Sequence, residues 1–136
     1  MPFLLDTNVL SAYLLRRPGA VAIIEPLVQS QDAETSILVY GEVIEYLRSF
    51  PNAGLLQAQL RRLMLNIPPR SLTYATVERY ADLRRILRPQ GQLIGDIDTL
   101  VAATAIERNL VLFTTDSDFT RVPGLQYQLI ARTSLR

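Results

Sequence analysis

The sequence contains neither cysteine nor histidine. The first absence excludes disulfides and thiolate metal sites. The second removes imidazole ligands, Ser-His triads and the commonest general base. Any catalysis must run on carboxylates, hydroxyls, tyrosine or arginine, and hard oxygen donors suit Mg²⁺ or Mn²⁺ rather than zinc. Lysine is missing too, so all 14 basic residues are arginine. Arginine grips phosphate bidentately and stacks on bases, although a GC-rich genome is the simpler explanation of the bias. No window approaches a membrane span, and the N-terminus lacks a basic region followed by an apolar core, so no membrane association and a cytoplasmic location are expected. There is no internal repeat, low-complexity tract or linker.

What remains is a chain of 136 residues, 49% hydrophobic and 20% charged. That is long enough for one soluble globular domain, spanning 1–136, with a core of its own. The net charge of +1 gives no global attraction to nucleic acid.

Phe3-Leu4-Leu5 is a short apolar run that ends in Asp6. It reads as a buried strand of a parallel sheet, which puts Asp6 at the carboxyl edge where open α/β sheets bind ligands. A charge there must be solvated, paired or bound to a metal. The plainer alternative is that Asp6 caps the helix that follows. Helices are predicted over 7–15 and 20–29, with Arg16-Arg17-Pro18-Gly19 between them and Pro18 able to start the second. A short strand follows over 34–37. Val39, Val43, Tyr46, Leu47 and Phe50 then repeat at helical spacing. Glu42 flanks that apolar stripe, whereas Glu45 lies opposite it and pairs with Arg48 in solvent.

Pro51 to Gly54 is a turn, and 55–66 is a helix stopped by Pro68 and Pro69. A short strand is expected over 70–72, with Thr73 capping a helix over 74–87 that carries Tyr74, Val77 and Ala81 on one face. Arg84, Arg85 and Arg88 gather at its end, complementing the helix dipole or gripping phosphate. After a loop, 96–109 is the strongest helical segment, with Ile97, Leu100, Val101, Thr104 and Ala105 inward and small alanines that allow close approach to a sheet. Asp96 and Asp98 fall roughly 160° apart on it. Asp96 suits the N-cap, with Thr99 three residues on, which leaves Asp98 as the spare acid; periodicity alone does not decide between them. Leu110 to Thr115 is a second apolar strand ending in an acid, Asp116. A Pro123-Gly124 turn and a last strand near 127–131 complete the chain. Strands alternating with helices predict an α/β fold with a mainly parallel sheet.

Asp6, Asp116, Glu42 and Asp98 (or Asp96) therefore converge, on positional grounds, on one sheet edge. Two carboxylates about 4 Å apart repel by roughly 4 kcal/mol at an effective dielectric near 20. Protons or a divalent cation must relieve this, and Mg²⁺ with retained waters is the natural solution at neutral pH. Such a site suits phosphodiester chemistry, with Glu42 or Asp116 orienting or deprotonating a water.

Leu5-Asp6-Thr7-Asn8, Glu42 within Val39–Val43, Ile94-Gly95-Asp96-Ile97-Asp98 running into Val101-Ala102-Ala103, and Thr114-Thr115-Asp116-Ser117-Asp118-Phe119 together resemble the PIN domain, and within it the VapC-type toxins. The likeness covers nearly the whole chain in the right order. It implies a single three-layer domain with Asp6, Glu42, Asp98 and Asp116 as the four catalytic acids. Asp6 and Asp98 would bind the metal. Asp96 occupies a position that need not be acidic, and Thr7, Asn8 and Thr114 would support the cluster through hydrogen bonds. Asp118 is expected to form a turn. The resemblance further implies a Mg²⁺- or Mn²⁺-dependent endoribonuclease that cuts RNA, often tRNA, and acts as a homodimer. Its cognate antitoxin would inhibit it and would carry any contact with operator DNA. Phosphate contacts would come from local arginines and weaken with salt.

A haloacid-dehalogenase-type phosphatase needs an acid where Asn8 stands and a lysine, which the chain lacks; a phospho-receiver domain also needs paired acids and a lysine. The alternative from another class is a catalytically silent PIN-like module that binds RNA or protein.

Overall fold

The computed structural model describes residues 2–136. Its sheet is built from β1 (Phe3–Leu5), β2 (Ala33–Ser36), β3 (Pro69–Arg70), β4 (Val111–Thr114) and β5 (Tyr127–Leu129). In space these run β3-β2-β1-β4-β5, and every pairing is parallel. The two apolar runs thus lie side by side in the middle, where both faces are covered and continuous hydrophobic sequence is required. Leu4, Leu5 and Leu112 are fully buried there.

Six helices connect the strands: α1 (Thr7–Leu14), α2 (Pro18–Gln29), α3 (Ile37–Leu47), α4 (Ala53–Leu63), α5 (Tyr74–Leu87) and α6 (Asp96–Glu107). The chain steps outward from β1 to β2 to β3, then returns across the sheet to β4 and β5. Parallel crossovers are right-handed, so this reversal puts α1 to α4 on one face and α5 and α6 on the other. The result is the expected three-layer α/β arrangement. The winding changes direction between β1 and β4. Ligand-binding crevices of open α/β sheets form at such a switch point, outside the carboxyl ends of the strands, and Asp6 and Asp116 follow the two strands that flank it.

Local chemistry explains where elements begin and end. Ser36 closes β2 and caps α3, its Oγ accepting from the Leu38 amide at 3.1 Å, so Ile37 belongs to the helix and not to the predicted strand. Pro69 does not end structure but enters β3, which its missing amide permits because β3 is an edge strand. Thr73 caps α5 as predicted, in a reciprocal box with Thr76. Pro18 starts α2 as its first residue, and Pro26 lies inside that helix, which sequence reading had not identified.

Two inward assignments differ, those of Tyr46 and Ile97, and α5 packs through a face that its sequence did not mark. Tyr74, Val77 and Ala81 do share a face of α5, but it is exposed; the buried residues are Thr76, Leu83 and Leu87. Thr76 turns inward because its hydroxyl donates to Glu107 Oε2 on α6 at 2.6 Å. Tyr46 and Ile97, expected inside, are also exposed. On α6 the small residues do the packing: Ala102, Ala103 and Ala105 have no exposed surface.

Candidate active site

Asp6 follows β1 directly, and its backbone occupies the N-cap position of α1. Its side chain does not cap the helix. Instead Oδ2 accepts a hydrogen bond of 2.7 Å from the buried Thr114 hydroxyl at the end of β4. The Asp6 amide donates to Phe113 O at 3.0 Å, carrying the strand pairing past the end of β1. Thr114 Oγ1 also accepts from the Asp116 amide at 3.0 Å. One threonine therefore ties the first acid to the turn that carries the last.

Glu42 sits on the flank of α3, half-buried, and its Oε1 accepts from Thr7 Oγ1 at 2.7 Å. Asn8 Nδ2 donates to Thr115 Oγ1 at 3.1 Å, a second link between α1 and the segment after β4. Asp116 caps the 3₁₀ turn Ser117–Arg121, its Oδ1 accepting from the Asp118 amide at 2.9 Å. Asp98 lies in the first turn of α6 and is half-buried.

The electrostatics join these residues. Burial pushes the Asp6 carboxyl above its ordinary range, and Glu42 and Asp116 push it further; the Thr114 hydroxyl works against them. Asp98 is pushed up to about 6, first by burial and then by Asp6, Glu42, Asp116 and Asp118. Four acids from three parts of the chain thus act on one carboxyl. Among the described residues none of Asp6, Glu42, Asp98 and Asp116 makes an ion pair, although Glu25, Glu34, Asp96 and Asp118 all do. The cluster is a concentration of negative charge without a cation of its own.

That donor set is all oxygen and suits a small hard divalent cation. Among the described residues no three acidic side chains converge tightly enough to form a ready-made cage. Mg²⁺ does not need one, because it keeps several waters and takes one or two carboxylates. Asp6 and Asp98 fit that requirement.

The pair on α6 separates cleanly. Asp96 Oδ1 accepts from Arg84 at 2.5 Å and from the Tyr80 hydroxyl at 3.2 Å, so it is tied to α5. It is not the N-cap: Gly95 holds that extended position, and Thr99 Oγ1 donates back to Gly95 O at 2.8 Å. Of the Arg84, Arg85 and Arg88 cluster, for which dipole complementarity or a grip on phosphate was open, Arg84 is thereby committed to Asp96. Asp118 pairs with Arg121 at 3.4 Å and helps to form its turn, as predicted. Sequence reading missed Arg17, Tyr46 and Arg132, which line a cleft beside Thr7 and Asn8. No local pattern marks Arg132, whose position depends on how the end of the chain docks.

Comparison with known proteins agrees with the fold. Residues 3–125 match the PIN domain. The chain is 26% identical to Ribonuclease VapC1 of Haemophilus influenzae strain R2866 over 133 residues, covering 94% of this chain and 97% of that one. Its fold is similar to that of VapBC-1 from nontypeable Haemophilus influenzae, with a TM-score of 0.79, 26% identity and coverage of 98% and 99%. It is also similar to VapBC2 from Rickettsia felis bound to a DNA fragment from its promoter, with a TM-score of 0.84, 23% identity and coverage of 96% and 99%. With the family match spanning most of its length, the chain belongs to the PIN domain family.

Proposed function

We propose that this protein is a Mg²⁺- or Mn²⁺-dependent endoribonuclease and the toxin of a toxin–antitoxin pair. The observation that carries the reading is the unpaired acid cluster at the β1/β4 switch point, where Asp98 is raised to about 6 by burial and by its acidic neighbours. The similarity to Ribonuclease VapC1 supports the substrate class. The absence of histidine and cysteine supports it as well, since it leaves only oxygen ligands for a metal.

Asp6 and Asp98 would hold the ion. Bound there, it supplies an activated water and neutralises charge developing on the phosphate. The remaining work falls to the chain. Thr114 fixes the Asp6 carboxylate through Oδ2 and leaves Oδ1 for a ligand. Thr7 fixes Glu42 through Oε1, which leaves Oε2 to orient a water or accept its proton. Asp116, anchored by its amide to Thr114, is the second candidate for that role. The threonines place the carboxylates before substrate arrives, so little reorganisation is needed during reaction.

The partner in this reading is a cognate antitoxin, supported by the VapBC neighbours. The toxin itself acts as a homodimer in the cytoplasm, and operator DNA is reached only through the antitoxin. Purified protein should cleave RNA in Mg²⁺ and stop in EDTA. RNA binding without cleavage under any divalent cation would instead favour the silent binding module.

A further inference from the structure

The four acids have no cation of their own, but the cleft beside them offers two. It encloses about 360 Å³ and is bordered by Thr7 and Asn8, whose side chains bond Glu42 and Thr115. Arg17, Tyr46 and Arg132 line it together with Ser11, Ala12 and Leu135, and no acidic side chain does. Five arginines are committed to ion pairs, namely Arg16, Arg70, Arg84, Arg108 and Arg121; Arg17 and Arg132 are exposed and, among the described residues, unpaired.

The fold brings both arginines to one junction. Arg17 is the residue before α2. Arg132 begins the last 3₁₀ turn, Arg132–Leu135, whose Leu135 is buried. The Gly19 amide donates to Arg136 O at 2.7 Å. A Cβ at Gly19 would stand 2.3 Å from Ser134 O and 2.5 Å from Arg136 O, so the tail crosses α2 where only glycine leaves room. This tail lies beyond residue 125, outside the stretch that matches the PIN domain. Tyr46 is one helical turn after Glu42 on α3, hence on the same side as the acid. Its ring is exposed and braced edge-on by Phe50, with centroids 5.2 Å apart.

We propose that this cleft is a substrate subsite for RNA. Arg17 and Arg132 bind a backbone phosphate flanking the one that is cut, and Tyr46 stacks a neighbouring base. The assignment rests on the ribonuclease reading above. Paired guanidiniums suit bidentate phosphate binding, and an exposed aromatic ring suits base stacking without sequence preference. The tail then acts as a positioning element, placing Arg132 beside the catalytic acids.

The test is binding of a short, fluorescently labelled single-stranded RNA of mixed sequence to the full chain carrying Asp98→Asn, which should not cut it, across a range of NaCl concentrations. Arg17→Gln and Arg132→Gln should each weaken binding several-fold. Together they should flatten the plot of log affinity against log salt by about 0.7 for each phosphate contact released. Tyr46→Ala should weaken binding without changing that slope, and Tyr46→Phe should restore it. In protein with Asp98 intact, the double arginine variant should raise KM with little change in kcat. Arg79→Gln, an exposed and unpaired arginine on α5, serves as the control.

A slope and KM unmoved by the double substitution, or moved no more than by Arg79→Gln, would overturn the assignment, as would an unsubstituted chain that does not bind RNA. Arginine-dependent RNA binding by protein that cleaves no RNA would retain the cleft and reject the ribonuclease reading. Cleavage with an unmoved KM would do the reverse.

Discussion

Asp96 and Asp98 are two residues apart and have opposite surroundings. Asp96 is largely exposed and bonded to Arg84, so Asp96→Asn should leave cleavage intact and cost about 0.5 kcal/mol of stability or less. Asp98 is raised to about 6 and has no cation beside it. A carboxyl whose pKa is higher in the folded state than its ordinary 3.8 adds stability that is fully present below that value and lost as pH rises through about 6. At neutral pH its ionised form is therefore unfavourable in ion-free protein. Asp98→Asn should abolish Mg²⁺-dependent cleavage while raising the melting temperature of the ion-free protein, a stability-for-activity exchange. A lower melting temperature would contradict the electrostatic account. Thr114→Val removes the donor to buried Asp6 and should cost about 1–3 kcal/mol by denaturant unfolding, with loss of activity. Sequence position alone put Asp6, Glu42 and Asp116 at one edge, because strand ends and the flank of an amphipathic stripe are readable locally. Position did not separate Asp98 from Asp96, and only the family resemblance favoured Asp98, since their difference turns on Arg84 and Tyr80 from another helix.

At the scale of elements, the long periodic helices and the two apolar strands were legible because each carries its own pattern. Boundaries shifted where side chains compete for the backbone, as Ser36 does in ending β2 and starting α3. The outward face of α5 was illegible because Thr76 is drawn in by Glu107, a contact across 31 positions that no period reports. The α1–α2 junction makes two further expectations concrete. Tyr13 on α1 donates a hydrogen bond to Glu25 on α2, and burial followed by that carboxylate pushes its phenol up to about 12. Its contribution is fully present below the ordinary 10.0 and lost as pH rises toward 12. Thermal unfolding followed across that alkaline window should fall less steeply for Tyr13→Phe than for the unsubstituted chain. Gly19→Ala places a methyl against the C-terminal carbonyls and should cost about 1–3 kcal/mol. If the tail yields instead, stability will hold but RNA affinity should fall, because Arg132 leaves the cleft.

At the scale of the whole molecule, winding is what turns separate motifs into a site. The sheet reverses between β1 and β4, so residues more than a hundred positions apart, Asp6 and Thr114, meet at one hydrogen bond. The acids gathered there repel one another, and the arginines free to meet a phosphate stand beside them rather than among them. Such a separation of charge suits a site that takes a cation in its centre and a polyanion along its border. Divalent binding to the folded state should raise the melting temperature with ion concentration, by RT ln(1 + [ion]/Kd) in free energy, and this rise should disappear in Asp98→Asn. The most direct test of the central claim is incubation of the purified chain with RNA in Mg²⁺ or Mn²⁺, with and without EDTA, beside its Asp98→Asn variant. Cleavage that requires the ion and Asp98 is expected; cleavage that persists in EDTA or in Asp98→Asn, or no cleavage of total cellular RNA with either ion, would contradict it.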